Sequence, residues 1–293
     1  AIRSYREALD IDDRELRALK GLERLYAQTE RWQQLLEVLE AEYDVVETEK
    51  ERIHILTRVA AMWEEEFVKP DKAAERLEQV LEVDPTHEQA LGGLERLYRR
   101  LQQWDKLIET FERHVQATPD RSEKIRIFKA QGEVFASELG DLDRAVDGYL
   151  SALDIDDQDY ETVDALTRLY EKRGEHSSAL DMMDQLAKLV QEPGQQVDLK
   201  YRMGRILDDQ LGDRVSALDQ YQAALDLEPG HLPSLEAMRQ IHIDSGDWMA
   251  AARTLEQETE YNENPRQVSK LLVDLGQIYD ERLDEHERAI ETF

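Results

Sequence analysis

The 293-residue chain contains no cysteine. Disulfides and thiolate metal sites are therefore excluded, and the redox compartment is left open. Apolar runs are short, and none reaches the roughly 18 residues a membrane-spanning helix needs. No signal peptide is visible at the N-terminus. Asparagine occurs only at Asn262 and Asn264. Basic side chains are outnumbered, 37 Lys and Arg against 66 Asp and Glu, which gives a formal net charge of −29. Nonspecific nucleic-acid binding depends on neutralising phosphates, so this balance argues against it, and against adhesion to anionic membranes. The acid reads first as a solvated, self-repelling surface and second as a match for a basic protein partner.

Repetition is what the chain has in abundance. "AIRSYREALDID" at residue 1 returns as "AAERLEQVLEVD" at 73, "AVDGYLSALDID" at 145, "ALDQYQAALDLE" at 217 and the stub "AIETF" at 289, always 72 residues apart. A second anchor keeps the same step, from "LERLYAQTERW" at 22 through "LERLYRRLQQW" at 94 and "LTRLYEKRGEH" at 166 to "MRQIHIDSGDW" at 238. A third column holds Ala60, Gly132, Gly204 and Gly276. The period defines units 1–72, 73–144, 145–216 and 217–288, with a stub at 289–293, in one repeat array.

Each unit reads as four helices. Leu16, Leu19, Leu22, Leu25 and Tyr26 fall at the three-and-four spacing of one buried stripe. Leu35, Leu36, Leu39 and Tyr43 supply the next stripe, and Ile53, Leu56, Val59, Ala60, Trp63 and Phe67 the third. Breakers such as "ATPDRS" at 117–122, "QEPGQQ" at 191–196 and "NENP" at 262–265 separate the runs, with Pro85 and Pro229 suited to helix starts. No strand-type alternation is left over, so an all-α chain is expected.

Chemistry is hard to place on this pattern. Histidines at 54, 87, 114, 176, 231, 242 and 286 include no pair four residues apart, the spacing that sets two metal ligands on one helical face. His176 and His242 occupy columns held by Trp32 and Tyr26 one or more units away, which suggests packing. The acidic run "DIDDQDYE" at 154–161 lacks the sixth-position Gly of a calcium loop and has Ala165 where its twelfth-position Glu belongs, so it reads as a turn that caps the next helix. Gly-rich phosphate loops are absent. No catalytic, cofactor or metal residue is therefore assigned, and an enzyme is the minority reading.

The hairpins resemble the tetratricopeptide repeat. Tyr170, Gly174, Ala179 and Met183 fill that family's aromatic, turn, small and large-apolar slots, as do Tyr26, Glu30, Leu35 and Leu39, and His242, Gly246, Ala251 and Leu255. The alternate half fits through Gly132, Phe135, Gly140, Ala145, Tyr149 and Ala152 if its first helix is about one residue longer than the family norm. The resemblance covers essentially the whole chain and implies a right-handed α-solenoid of seven complete hairpins with an unpaired helix at each end. Its implied work is to bind a protein or peptide partner in a concave groove lined by the first helix of each hairpin. The family's groove positions fall here on Arg17, Lys20, Arg24, Arg96, Arg99, Arg126, Lys129, Arg168, Tyr201 and Arg205. Arg24, Arg96 and Arg168 recur in one column, followed by Gln240. They are expected either to bridge to carboxylates on neighbouring hairpins or to accept an acidic segment. The family's clamp for chaperone tails needs groove Asn residues, which are missing here.

A structural rod is the alternative. In that reading Ile2, Tyr5, Leu9, Leu272, Leu275 and Tyr279 form exposed apolar ends that stack copies head to tail. Residues 1–12 read as a second helix without its first, and "AIETF" as the opening turn of a closing helix, so a piece of a longer repeat protein is expected. The compartment is not fixed by the sequence, with the cytoplasm favoured over the periplasm.

Overall fold

A computed structural model of the chain describes residues 1–292, which form seventeen α-helices and no strand. Phe293, the last letter of the stub, lies outside the described residues. The chain divides into two compact units. The first, Ala1–Asp156, holds α1 (Ile2–Leu9), α2 (Leu16–Gln28), α3 (Trp32–Val45), α4 (Glu49–Glu65), α5 (Pro70–Val83), α6 (Glu88–Leu101), α7 (Trp104–Ala117), α8 (Arg121–Val134) and α9 (Leu142–Leu153). The second, from Asp157 onward, holds α10 (Tyr160–Arg173), α11 (His176–Leu189), α12 (Pro193–Asp209), α13 (Arg214–Leu227), α14 (Leu232–Ser245), α15 (Trp248–Tyr261), α16 (Pro265–Gln277) and α17 (His286–Thr292). Among the described residues no helix is long and apolar enough to cross a membrane.

Within each unit the helices pack chiefly on their neighbours in sequence, as antiparallel hairpins stacked in solenoid fashion. The first unit stacks α2–α3, α4–α5, α6–α7 and α8–α9, with α1 laid against α2. The second stacks α10–α11, α12–α13 and α14–α15, and α16 pairs with α17. The closing helix thus begins at His286, three residues ahead of "AIETF", and makes a partial eighth hairpin rather than leaving α16 unpaired. At the opposite end of the chain α1 sits tightly on its own neighbour, α2. Tyr5 lies so close over Gly21 of α2 that a Cβ there would stand 2.6 Å from the ring. A tyrosine can approach that closely because the glycine offers no side chain.

Helix ends follow from local chemistry. Asp120, Asp159, Asp213 and Asp247 accept hydrogen bonds from backbone N–H groups of the first turn they precede. Each first helix stops at a residue in the left-handed region, and these residues recur at the 72-residue step. Glu30, Gln102, Gly174 and Gly246 close the shorter helices, and Val68, Gly140, Gly212 and Asp284 the longer ones. The longer helices run one further turn, through π turns at Phe135–Leu139 and Ile278–Arg282 after α8 and α16. All four close with an N–H donated six residues back: Lys69 to Trp63 at 2.7 Å, and Asp141 to Phe135, Asp213 to Leu207 and Glu285 to Tyr279 at 2.8 Å. The sequence calls for about one extra residue in the first helix of every second hairpin; α4, at 17 residues against 13 in α2, is longer than that by most of a turn.

Candidate functional site

The first helices line up side by side in each unit and are joined by ion pairs. In the first unit, Arg58 of α4 binds Glu23 of α2, and Lys20 of α2 reaches Glu51 of α4 at 3.4 Å. Arg96 of α6 grips Glu64 of α4 with both terminal nitrogens, one at 2.8 Å from Oε2. Arg126 of α8 donates to Glu95 of α6 at 2.9 Å, and Arg99 of α6 faces Glu133 of α8 at 3.7 Å. In the second unit Arg202 of α12 holds Glu171 of α10 at 2.9 Å. These pairs are 31 to 35 residues apart, so each ties one hairpin to the next. Their electrostatics are mutual: the Arg126 bond holds the Glu123 carboxyl below the usual carboxylate range, while Glu123 and Glu95 push the guanidinium up.

The groove residues expected from the sequence therefore divide into classes. Lys20, Arg96, Arg99 and Arg126 are engaged by carboxylates of neighbouring first helices. Arg168 pairs with Asp164 on its own helix at 2.5 Å, and Arg205 with Asp209 at 2.7 Å. Tyr201 packs edge-on to His231 with ring centres 5.4 Å apart and accepts a 3.4 Å bond from Arg205. Lys129 is half-buried and has a partner. Arg17 and Arg24 are exposed on α2 with no ion-pair partner among the described residues.

The proposed end residues do not all face solvent. Leu275 and Tyr279 are buried, and they cannot belong to an exposed end face. Tyr279 donates its hydroxyl to Glu256 of α15 at 2.6 Å and carries the Arg288 guanidinium of α17 over its ring at 4.2 Å, so it is held between these two helices. Ile2, Tyr5 and Leu9 are half-buried against the core of α2 and α3, and Leu272 is half-buried.

Sequence reasoning passed over a set of enclosed polar pairs that link three of the four short first helices to their second helices. Their columns, 19 residues apart, hold Glu23 and Glu42, then Glu95 and His114, then Thr167 and Leu186, then Arg239 and Glu258. His114 Nδ1 meets Glu95 at 2.5 Å and Arg239 donates to Glu258 at 2.7 Å. Glu42 shares a hydrogen bond with Glu23, which burial and the nearby Glu23 charge favour by pushing its carboxyl up to about 7. The readable signal is a charged letter on the apolar stripe of a helix, visible only once the four units are aligned. Among the described residues no group of three His, Asp or Glu is placed to hold a metal ion.

A sequence model of the tetratricopeptide repeat matches residues 18–53, 90–125 and 162–197. Each match opens two residues into a short first helix and ends early in the next, long one. No curated protein matches the chain. Among solved structures, the crystal structure of MamA protein is 18% identical, with 61% of this chain and 93% of that chain covered and a TM-score of 0.43. The crystal structure of YrrB, a tetratricopeptide repeat protein with an unusual peptide-binding site, is 19% identical, with 65% and 97% covered and a TM-score of 0.41. A tetratricopeptide repeat protein from Parabacteroides merdae ATCC 43184 is 14% identical, with 89% and 98% covered and a TM-score of 0.40.

Proposed function

Because this chain is built of tetratricopeptide repeats, the modules of protein-interaction scaffolds, we propose that it holds a segment of a partner protein on the face made by its first helices. The observation that carries this reading is the ladder of ion pairs between neighbouring first helices. A face whose spacing is already fixed loses little conformational freedom when a segment lies down on it, which is the condition for useful affinity from modest contacts. Single exposed pairs contribute only about 0–1 kcal/mol each, so their part is to set geometry rather than to supply stability. An acidic segment would depend chiefly on Arg17 and Arg24, since Lys20, Arg96, Arg99 and Arg126 are already neutralised.

The test maps where a captured partner lies. A photo-crosslinking residue is placed at Gln89, exposed on α6, and separately at Glu112, exposed on α7. The bound segment should crosslink from position 89 and not from 112. Crosslinking only from position 112 would move the binding surface to the second helices and end this reading.

A further inference from the structure

In the second unit a pocket of about 240 Å³ opens between α10 and α12, on the first-helix side. Leu186, Val190 and Leu199 make its apolar floor, and the Tyr160 ring, 45% exposed, stands at its edge. Most of the charges around it are matched. Arg168 pairs with Asp164 and Arg202 with Glu171. Asp198 also lines the opening, and among the described residues its carboxylate has neither an ion-pair nor a hydrogen-bond partner.

The preceding repeat shows what is missing. Seventy-two residues earlier, Arg126 stands where Asp198 stands, Glu95 where Thr167 stands and Glu123 where Gln195 stands. There the Arg126 guanidinium spans Glu95 at 2.9 Å and Glu123 at 2.8 Å and fills the junction between the two first helices. In the later repeat the guanidinium is replaced by a shorter anionic side chain, and the junction is open. An apolar floor, an aromatic edge and one uncompensated carboxylate together suit a long side chain with an apolar stem and a planar cationic head.

We propose that this pocket receives an arginine side chain from an extended segment of a partner protein. Its guanidinium lies against Asp198, its stem covers Leu186 and Val190, and the Tyr160 ring flanks it. The partner is thus basic, in keeping with the net charge of −29. The inference rests on the first-helix face being the binding surface.

The experiment uses the whole chain and a fluorescein-labelled hexaarginine peptide, followed by anisotropy at about 150 mM salt, where long-range attraction is largely screened. Asp198→Asn should weaken binding by about 3- to 10-fold, as expected for loss of a charge-assisted contact. Tyr160→Ala should weaken it in the same direction. Asp181→Asn removes the same charge from an exposed position on α11 and should change affinity by less than about 1.5-fold. Equal effects of the two aspartate variants would reduce the binding to surface charge and overturn the proposal, as would no binding or tighter binding of a hexaglutamate peptide. A photo-crosslinking residue at Glu161 on α10 or at Asp181 separates this failure from the broader one. Peptide captured from position 161 but indifferent to Asp198→Asn sinks the pocket and spares the first-helix face; capture only from position 181 sinks both.

Discussion

At the scale of single residues, the buried pair Glu23 and Glu42 has the clearest consequence. Glu42 is 3% exposed on α3, one of its carboxyl oxygens has no hydrogen-bond partner, and the groups that face it are Glu23 and Lys20 of α2 and Arg58 of α4. Burial is the largest cause of its upward shift to about 7, and Glu23 adds to it while Lys20 and Arg58 oppose it. Between the ordinary carboxylate value of 4.5 and 7 the folded chain holds a proton that the unfolded chain has released. Stability attributable to this group is therefore complete below about pH 4.5, falls as pH rises through that window and is flat above it, a loss of the order of 2–3 kcal/mol. Glutamine keeps the neutral shape at every pH. Thermal melts of the parent and of Glu42→Gln, run from pH 5 to pH 8, should show the variant gaining on the parent as pH rises. A constant difference across the range would mean that Glu42 is already ionised at pH 5.

At the scale of elements, the eight left-handed stops decide where the first helices end, and they do not carry equal strain. Four of them are glycine, which adopts the conformation freely, while Glu30, Gln102 and Asp284 are unbranched at Cβ. Val68 is the exception: a β-branched residue at φ +52°, 61% exposed, in a column that reads Gly140 and Gly212 in the next two units. Its side chain gains nothing from burial there, and β-branching makes the left-handed region more costly. Val68→Gly should raise stability by about 1 kcal/mol, the penalty typical of a non-glycine residue in this region. Scanning calorimetry checks the sign, and a lower melting temperature would show that the valine contributes packing that its exposure does not reveal. The same elements show how legible the fold was. The 72-residue step, the hairpins and the longer second half were all written in the columns of small and aromatic residues. The closing helix was read three residues short, because its start was set by the repeat letters "AIETF", whereas Glu285 donates its N–H to the Tyr279 carbonyl and α17 begins at His286. Tyr279 and Leu275 were read as exposed because the closing helix was taken to be cut after its first turn, whereas α17 packs Ala289 into the same buried cluster as both of them. Asp198 and Tyr160 are legible singly, but the pocket between them depends on what Arg126 fills in the repeat before.

At the scale of the whole molecule, one number outweighs the separate ion pairs. The acidic residues exceed the basic ones by 29, and most of the charged side chains are exposed. The bridges that join neighbouring helices are local and lie partly in water, so salt takes away at most a few tenths of a kcal/mol from each. The uncompensated acid acts differently, since every excess carboxylate repels many others across distances near the Debye length of about 10 Å at 0.1 M salt. Folding concentrates that charge, and screening therefore favours the folded chain more than it weakens the bridges. Raising sodium chloride from about 10 mM to about 200 mM, which shortens the Debye length from about 30 Å to below 10 Å, should raise the melting temperature by several degrees. A melting temperature that falls over the same range would show that the interhelical ion pairs, and not the net charge, dominate the electrostatics of folding. The Arg126 bridge would then be the first place to look, because its guanidinium binds two carboxylates, Glu95 and Glu123, at once.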